Sequence, residues 1–94
     1  MKFPKRLAKG LDYHIDFRTF YVLDIVPRKN QSTIVFIVPK RVQEHSYCGI
    51  LLGNNSGHWY PNYEQMLDAA VGLGYISGLK RLLLHHRCKR TYSK

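Results

Sequence analysis

The sequence predicts an α+β fold: a small antiparallel sheet of three or four strands with an N-terminal hairpin, then one broken helix or two short helices. Two observations lead to this class. β-branched and aromatic residues dominate the chain as far as Tyr60, whereas apolar residues recur at helical spacing from Asn62 onward. With 94 residues and 45% hydrophobic content, the chain is expected to form a single folded domain.

The strand predictions rest on composition and on turn residues. Tyr13 to Val26 is rich in β-branched and aromatic side chains and is read as one strand. After a polar break, Thr33 to Val38 forms the second strand of the hairpin, ended by Pro39, which has no N–H to donate. A third strand is expected at Tyr47 to Leu52, and a fourth over His58 to Tyr60, across a Gly-Asn-Asn-Ser-Gly turn.

The helical part begins at a capping signal. Asn62 can cap a helix, and Gln65 stands in capping-box position three residues later. Three closely spaced glycines predict a break between residues 74 and 78, and Ser77 can cap a second helix. By segment, the sequence predicts a loosely ordered basic arm (1–11), a β-meander (12–60), a helical part (61–90) and a tail (91–94).

The second helix is predicted to carry one apolar stripe. Its members fall at helical spacing and are Leu79, Leu82, Leu83 and His86. The remaining residues are expected on the other side, facing solvent: Lys80, Arg81, Leu84, His85, Arg87 and Cys88.

Charge is the most informative bulk property. Fifteen Lys and Arg stand against six Asp and Glu, a net charge of +9, which attracts polyanions or acidic protein surfaces and excludes a DNA mimic. The chain has neither a membrane-length apolar run nor a secretory signal pattern, so no membrane partner is expected and the predicted location is the cytoplasm. The predicted electrostatic face consists of Lys80, Arg81, Arg87, Lys89 and Arg90, with Arg28, Lys29, Lys40 and Arg41.

Aromatic residues cluster where the predicted sheet gives way to the helix. Trp59, Tyr60 and Tyr63 stand within five positions of one another, and these residue types dominate binding hot spots. They are predicted to form an aromatic anchor for a partner. The alternative is that Trp59 closes the core beneath the helix.

The spacing His-x-x-Cys occurs twice, as His45 with Cys48 and as His85 with Cys88. Zinc accepts two imidazoles and two thiolates in a tetrahedral set, so these four residues could hold a stabilising ion. The favoured interpretation is that no cofactor is bound, with Cys48 a small core residue and the pair on the helix facing solvent.

One carboxylate–imidazole set is a candidate catalytic centre. Asp12, His14 and Asp16 would share one face of a strand and could bind a metal or move a proton. A polar solvent face is the favoured interpretation, and no phosphate-cradling glycine loop is present. The chain is therefore predicted not to be an enzyme.

The order of hairpin followed by Tyr60-Pro61-Asn62-Tyr63-Glu64-Gln65-Met66-Leu67-Asp68-Ala69-Ala70 resembles small phage-encoded accessory proteins, in architecture rather than by a diagnostic motif. The resemblance implies a stoichiometric inhibitor that blocks or redirects a host nucleic-acid enzyme, including CRISPR and recombination nucleases. A basic member would dock on an acidic enzyme surface or on bound nucleic acid.

The expected function is thus a non-catalytic interaction protein of a phage or mobile element, whose partner is a host protein or a protein–nucleic-acid complex. The alternative is a direct nucleic-acid-binding module, with or without zinc. The sequence specifies no oligomeric state.

Overall fold

The computed structural model describes residues 7–15, 17–28, 33–40, 47–53 and 56–92. Five strands form one antiparallel sheet in chain order, and two helices follow, so the predicted α+β class is confirmed with five strands rather than three or four. The strands are β1 (Asp12–Ile15), β2 (Arg18–Val26), β3 (Ile34–Pro39), β4 (Cys48–Leu52) and β5 (Gly57–Tyr60); the helices are α1 (Tyr63–Gly72) and α2 (Gly78–Tyr92).

The additional strand comes from the segment read as one strand from Tyr13 to Val26. It is a hairpin of β1 and β2, in which Ile15 pairs with Arg18 and Phe17 lies in the turn between the strands. Phe17 has a φ of 63°, as the two-residue loops that match strand twist require. The sequence has no Gly or Asn at this turn, so its composition did not predict a break between β1 and β2.

The sheet separates two apolar clusters. On the face covered by the helices, residues of β2, β3 and β4 pack against both helices and the segment between them. This main core consists of Leu23, Ile34, Phe36, Val38, Cys48, Ile50, Met66, Leu67, Ala70, Ile76, Leu84 and Cys88.

The other face, here called the uncovered face because neither described helix packs on it, carries a second cluster built from strand residues, with Leu7 packed against it. Its buried members are Tyr13, Phe20, Val22, Val35, Ile37 and Leu51. Three strand spacings, about 14 Å in a flat sheet, separate β2 from β5. The rings of Phe20 and Trp59 nevertheless have centroids 5.5 Å apart. The sheet therefore curls toward the uncovered face, which makes that face concave.

Both predicted helix caps are confirmed. Oδ1 of Asn62 accepts a hydrogen bond from the backbone N–H of Gln65 at 2.9 Å, and Oγ of Ser77 accepts one from the N–H of Lys80 at 3.1 Å. Between the helices, Gly74 takes the left-handed conformation (φ 79°) that commonly follows a helix C-terminus. Neither helix in the described part of the chain has the length and apolar content needed to cross a membrane.

The predicted orientation of the second helix was wrong. Leu84 and Cys88, placed on the solvent side by the sequence pattern, are fully buried in the main core. Leu79, Leu82 and Leu83 point outward instead. The pattern located an apolar stripe correctly but could not tell which side faced the sheet. Leu84 and Cys88, four positions apart, fill the space above the sheet, and the leucine-rich side of the helix stays in solvent.

A register shift in β2 helps to hold α2 in this orientation. Val22 pairs with Ile37 but Asp24 pairs with Phe36, so one extra residue bulges out between them. Because Phe36 belongs to the main core, the bulge brings Asp24 to the helix-covered face. There the Asp24 carboxylate meets Nζ of Lys80 from α2 at 2.8 Å.

Candidate interaction surfaces

The outward side of α2 exposes more apolar surface than any other helix face described. Leu79, Leu82 and Leu83 are 70%, 62% and 58% exposed, and His86 continues their row one turn later. We call these four residues the leucine face. Contiguous exposed apolar side chains of this kind mark sites where a protein meets a partner.

Positive charge continues the leucine face toward the C-terminus. Arg90 lies four residues beyond His86 and therefore on the same side of α2, with Lys89 beside it. Both are exposed, and no ion pair joins either to another described residue. The outward side of α2 thus combines an apolar part, the leucine face, with a basic part formed by Lys89 and Arg90.

Three residues of the predicted electrostatic face are held in contacts within the fold. Lys80 pairs with Asp24, and Nε of Arg81 lies 2.7 Å from Oδ1 of Asp68. Nη1 of Arg87 donates a hydrogen bond to the carbonyl oxygen of Leu23 at 2.8 Å. These cations attach α2 to the sheet and to α1, so less of their charge is available to a partner than the sequence suggested.

Two further cations of the predicted electrostatic face also have partners within the fold. The guanidinium of Arg28 lies 5.2 Å from the ring centroid of Tyr75, and Nζ of Lys40 forms a 2.7 Å ion pair with Asp12. Lys29 and Arg41 lie outside the described residues.

The three predicted anchor aromatics are not on one surface. Trp59 and Tyr60 are neighbours on β5, so their side chains leave the sheet on opposite faces. Trp59 points to the uncovered face and is half exposed, whereas Tyr60 and Tyr63 pack against the main core. The ring of Tyr63 also meets that of His85, at 5.5 Å between centroids.

Trp59 instead helps to form a cleft at the concave, uncovered face. The cleft has a volume of about 460 Å³ and is lined by Ile15, Arg18, Phe20, Tyr47 and Trp59. We call it the aromatic cleft. All five side chains lie on the face of the sheet that carries the second cluster. Each is two residues along a strand from a residue of that face, or directly opposite one on the paired strand.

The sequence analysis missed most of this cleft. Of its five residues only Trp59 was a predicted site residue, and Ile15 to Phe20 was expected to be uninterrupted strand, whereas the β1–β2 turn brings Ile15 beside Arg18. The same turn leaves Phe17 fully exposed. An Asp-Phe pair flanked by alternating apolar and polar residues was the only sequence signal of a turn here.

The two cysteines lie together in the main core. Cys48 and Cys88 are both buried and unbridged. Burial raises the pKa of each thiol to about 12; for Cys88, nearby Cys48 raises the pKa further while Arg87 acts to lower it. Both are therefore neutral at physiological pH and pack as small apolar side chains. The expectation that Cys88 faces solvent was wrong, while Cys48 is in the core as predicted.

For the predicted metal set, the fold brings Cys48 and Cys88 to one region, with His85 alongside Tyr63. His45 lies outside the described residues. In the part of the chain that the structure describes, no three His, Cys, Asp or Glu side chains are grouped to hold an ion. Zinc binding would also require both neutral thiols to lose their protons. The four-residue site stays a prediction.

The proposed carboxylate–imidazole set has polar partners at its described members. Asp12 is paired with Lys40, and Nδ1 of His14 lies 3.2 Å from Oγ1 of Thr19 on the neighbouring strand. Asp16 lies outside the described residues. The contacts of Asp12 and His14 are those of an exposed strand surface.

The class defined by these features is a five-stranded, curled antiparallel meander with two C-terminal helices, carrying one apolar-basic helix face and one aromatic cleft. Comparison with protein-family models, with curated proteins and with solved structures finds no match to the chain.

Proposed function

We propose that this chain is a non-catalytic interaction protein that docks on an acidic partner protein through the leucine face of α2. The observation that carries the proposal is the exposure of Leu79, Leu82 and Leu83 in one row that ends in Arg90. A partner surface that fits this row offers an apolar groove bordered by carboxylates. Helix-in-groove recognition uses residues at this spacing.

Charge favours an acidic partner over a second copy of the chain. Of the four acidic residues in the described part, Asp12, Asp24 and Asp68 already pair with cations of the same fold. The described part of a second copy would therefore offer few free carboxylates to Arg90. A second copy would also bring another net charge of +9 to the interface, which opposes association.

The partner class we propose is a nucleic-acid-processing enzyme of a bacterial host, met in the cytoplasm and inhibited or redirected by stoichiometric binding. Such enzymes hold a polyanion, the nucleic acid on which they act. A basic protein can dock on acidic regions of the enzyme or on this nucleic acid. The resemblance to phage accessory proteins supports the same class.

The test compares two leucines that are both exposed but lie on different surfaces. Leu82→Glu reverses the character of the leucine face, and Leu11→Glu makes the same change elsewhere; both variants are first checked for folding by circular dichroism. Tagged proteins capture partners from nuclease-treated bacterial lysate. The captured enzyme is then purified, and its affinity and stoichiometry are measured by calorimetry.

We expect Leu82→Glu to weaken binding of the purified enzyme about thirtyfold or more, as at a hot spot, and Leu11→Glu to change it less than twofold. Equal affinity of both variants would exclude the leucine face as the docking surface. Sedimentation equilibrium and cosedimentation with anionic vesicles complete the test. A dimer that Leu82→Glu dissociates, or vesicle binding that it abolishes, would also overturn the proposal.

A further inference from the structure

The aromatic cleft differs from the leucine face in position and in chemistry. It opens on the uncovered face of the sheet, while α2 packs on the other face with its leucines directed away from the strands. Tyr47 and Trp59 are each 45% exposed there. Two half-exposed rings beside a concave opening form a surface on which a planar group can stack.

The tryptophan platform is fixed in place by the strands beneath it. A Cβ built on Gly49 would lie 3.0 Å from Cζ3 of Trp59, so the indole lies directly over the β4 backbone. Its other neighbour is the ring of Phe20, which is buried on β2. A ring held on two sides loses little entropy when a ligand stacks on its exposed side.

Charge and size select the planar group. Arg18 is the one charged residue among the five described residues that line the cleft, and none of these five is a carboxylate. The side chain of Arg18 is exposed and directed to the same face as Phe20, two residues further along β2. A volume of about 460 Å³ accommodates a nucleobase with its sugar and phosphate. The chain's net charge of +9 attracts nucleic-acid backbones.

From these observations we infer that the aromatic cleft binds single-stranded nucleic acid, stacking one nucleobase on Trp59 and Tyr47 while Arg18 contacts the adjoining phosphate. Stacking on aromatic rings beside a cationic group is how proteins hold single strands without reading their sequence. A duplex keeps its bases inside and does not offer this contact. The chain would then contact a protein and a single strand on opposite faces, and the cleft's binding does not depend on the leucine face.

Trp59 provides a direct reporter because it is the only tryptophan in the chain. We would titrate the full protein with the deoxythymidine octamer dT8 at low salt and follow tryptophan fluorescence. Stacking of a base on the indole is expected to quench the emission in a saturable manner. Duplex DNA and heparin, which lack accessible bases, are expected to leave the emission largely unchanged.

Variants then separate stacking from general charge attraction. Tyr47→Ala is expected to weaken dT8 binding about tenfold, whereas Tyr47→Phe, which keeps the ring, should bind as the wild type does. Arg18→Ala should weaken binding and reduce the slope of log affinity against log salt by about one. Arg90→Ala removes the same charge on α2, far from the cleft, and should leave both quenching amplitude and salt slope close to the wild type.

Three results would overturn the inference: no quenching by dT8 at low salt, equal effects of Arg18→Ala and Arg90→Ala, or heparin quenching as strong as that of dT8. A fourth is saturable quenching by an acidic, phenylalanine-containing peptide with none by dT8, which would assign the cleft to a protein partner. None of these results alters the outcome of the Leu82→Glu test, so the two proposals fail separately.

Discussion

The Asp24 carboxylate and the Lys80 ammonium join β2 to the first turn of α2 at 2.8 Å. The Asp24 side chain is 4% exposed and that of Lys80 is 38% exposed. Oδ1 of Asp24 accepts the backbone N–H of Ile25 at 2.9 Å, while Oδ2 has no hydrogen bond of good geometry among the described residues. Lys80 is therefore the main compensation for a buried negative charge, and it orients α2.

Removing the Lys80 cation should destabilise the fold, because the buried Asp24 carboxylate would lose its ion-pair partner. Lys80→Met is expected to lower the free energy of unfolding by about 2 kcal/mol, less than for a fully buried pair because Lys80 is partly solvated. Asp24→Asn in the same chain should recover part of the loss. Urea unfolding of a double-mutant cycle measures the coupling, expected to be at least about 1 kcal/mol. The Arg81–Asp68 pair, with Asp68 exposed, is the control and should couple less. Additive effects at Asp24 and Lys80 would contradict the assignment.

Two Gly→Ala substitutions should change stability in opposite directions. At Gly49 the added methyl meets the ring of Trp59 at 3.0 Å and Cγ1 of Ile37 at 3.2 Å, so Gly49→Ala should destabilise the fold by about 1 kcal/mol and shift the tryptophan emission. At Gly72, in α1, nothing lies within 4 Å, so Gly72→Ala should stabilise it by about 0.5–1 kcal/mol. Chemical denaturation monitored by circular dichroism measures both. Loss of stability at Gly72, or none at Gly49, would disagree with the packing described.

Stability should decline in alkaline solution because of the two core thiols. Their pKa values are raised by burial to about 12 in the folded chain, against about 8.5–9 in the unfolded chain. The folded state thus binds more protons between these values, so this contribution is complete below about pH 9 and is lost as pH rises toward 12. Urea unfolding at pH 7, 9 and 10.5 measures the decline. Cys48→Ala with Cys88→Ala should reduce its slope. An equal slope in that variant would assign the decline to other groups, such as Tyr13 and Tyr63, whose pKa values are also raised by burial.

The orientation of α2 can be tested by stability alone. Leu84 is fully buried and Leu83 is exposed, so Leu84→Ala should cost about 2–5 kcal/mol while Leu83→Ala should change stability by less than about 0.5 kcal/mol. The two residues are adjacent, of the same type and in the same helix, which makes them a matched pair. Equal losses in urea unfolding would mean that the leucine face is covered in solution.

The β1–β2 turn should accept a better residue than phenylalanine. Phe17 is fully exposed with a φ of 63°, a conformation that is costly for a bulky side chain and tolerated by asparagine. Phe17→Asn should therefore raise the free energy of unfolding by about 0.5–1 kcal/mol, as measured by thermal and urea denaturation. Phe20→Asn, on the buried side of the same hairpin, should do the opposite. A destabilised Phe17→Asn variant would mean that the exposed ring makes contacts in the folded state.

Elements with a local chemical cause could be predicted from the sequence. Asn62 and Ser77 cap their helices because each side chain satisfies N–H groups a few residues away. The apolar run of β3 forms a strand because β-branched residues fit a sheet buried on both faces. These relationships involve neighbours in sequence, so composition and spacing contain them.

Tertiary structure alone decided which surfaces are available to a partner. The leucine stripe of α2 could have faced either way, and the outcome depends on Leu84 and Cys88 filling the core and on Lys80 reaching Asp24. The aromatic cleft requires the sheet to curl until Phe20 meets Trp59, a contact between strands that are not neighbours. By itself the sequence determined the α+β class, the helix caps and the positive charge, which arise from local preferences and composition. The two candidate surfaces arise from contacts between segments that are distant in sequence. The spacing of residues along the chain does not specify which distant segments pack together.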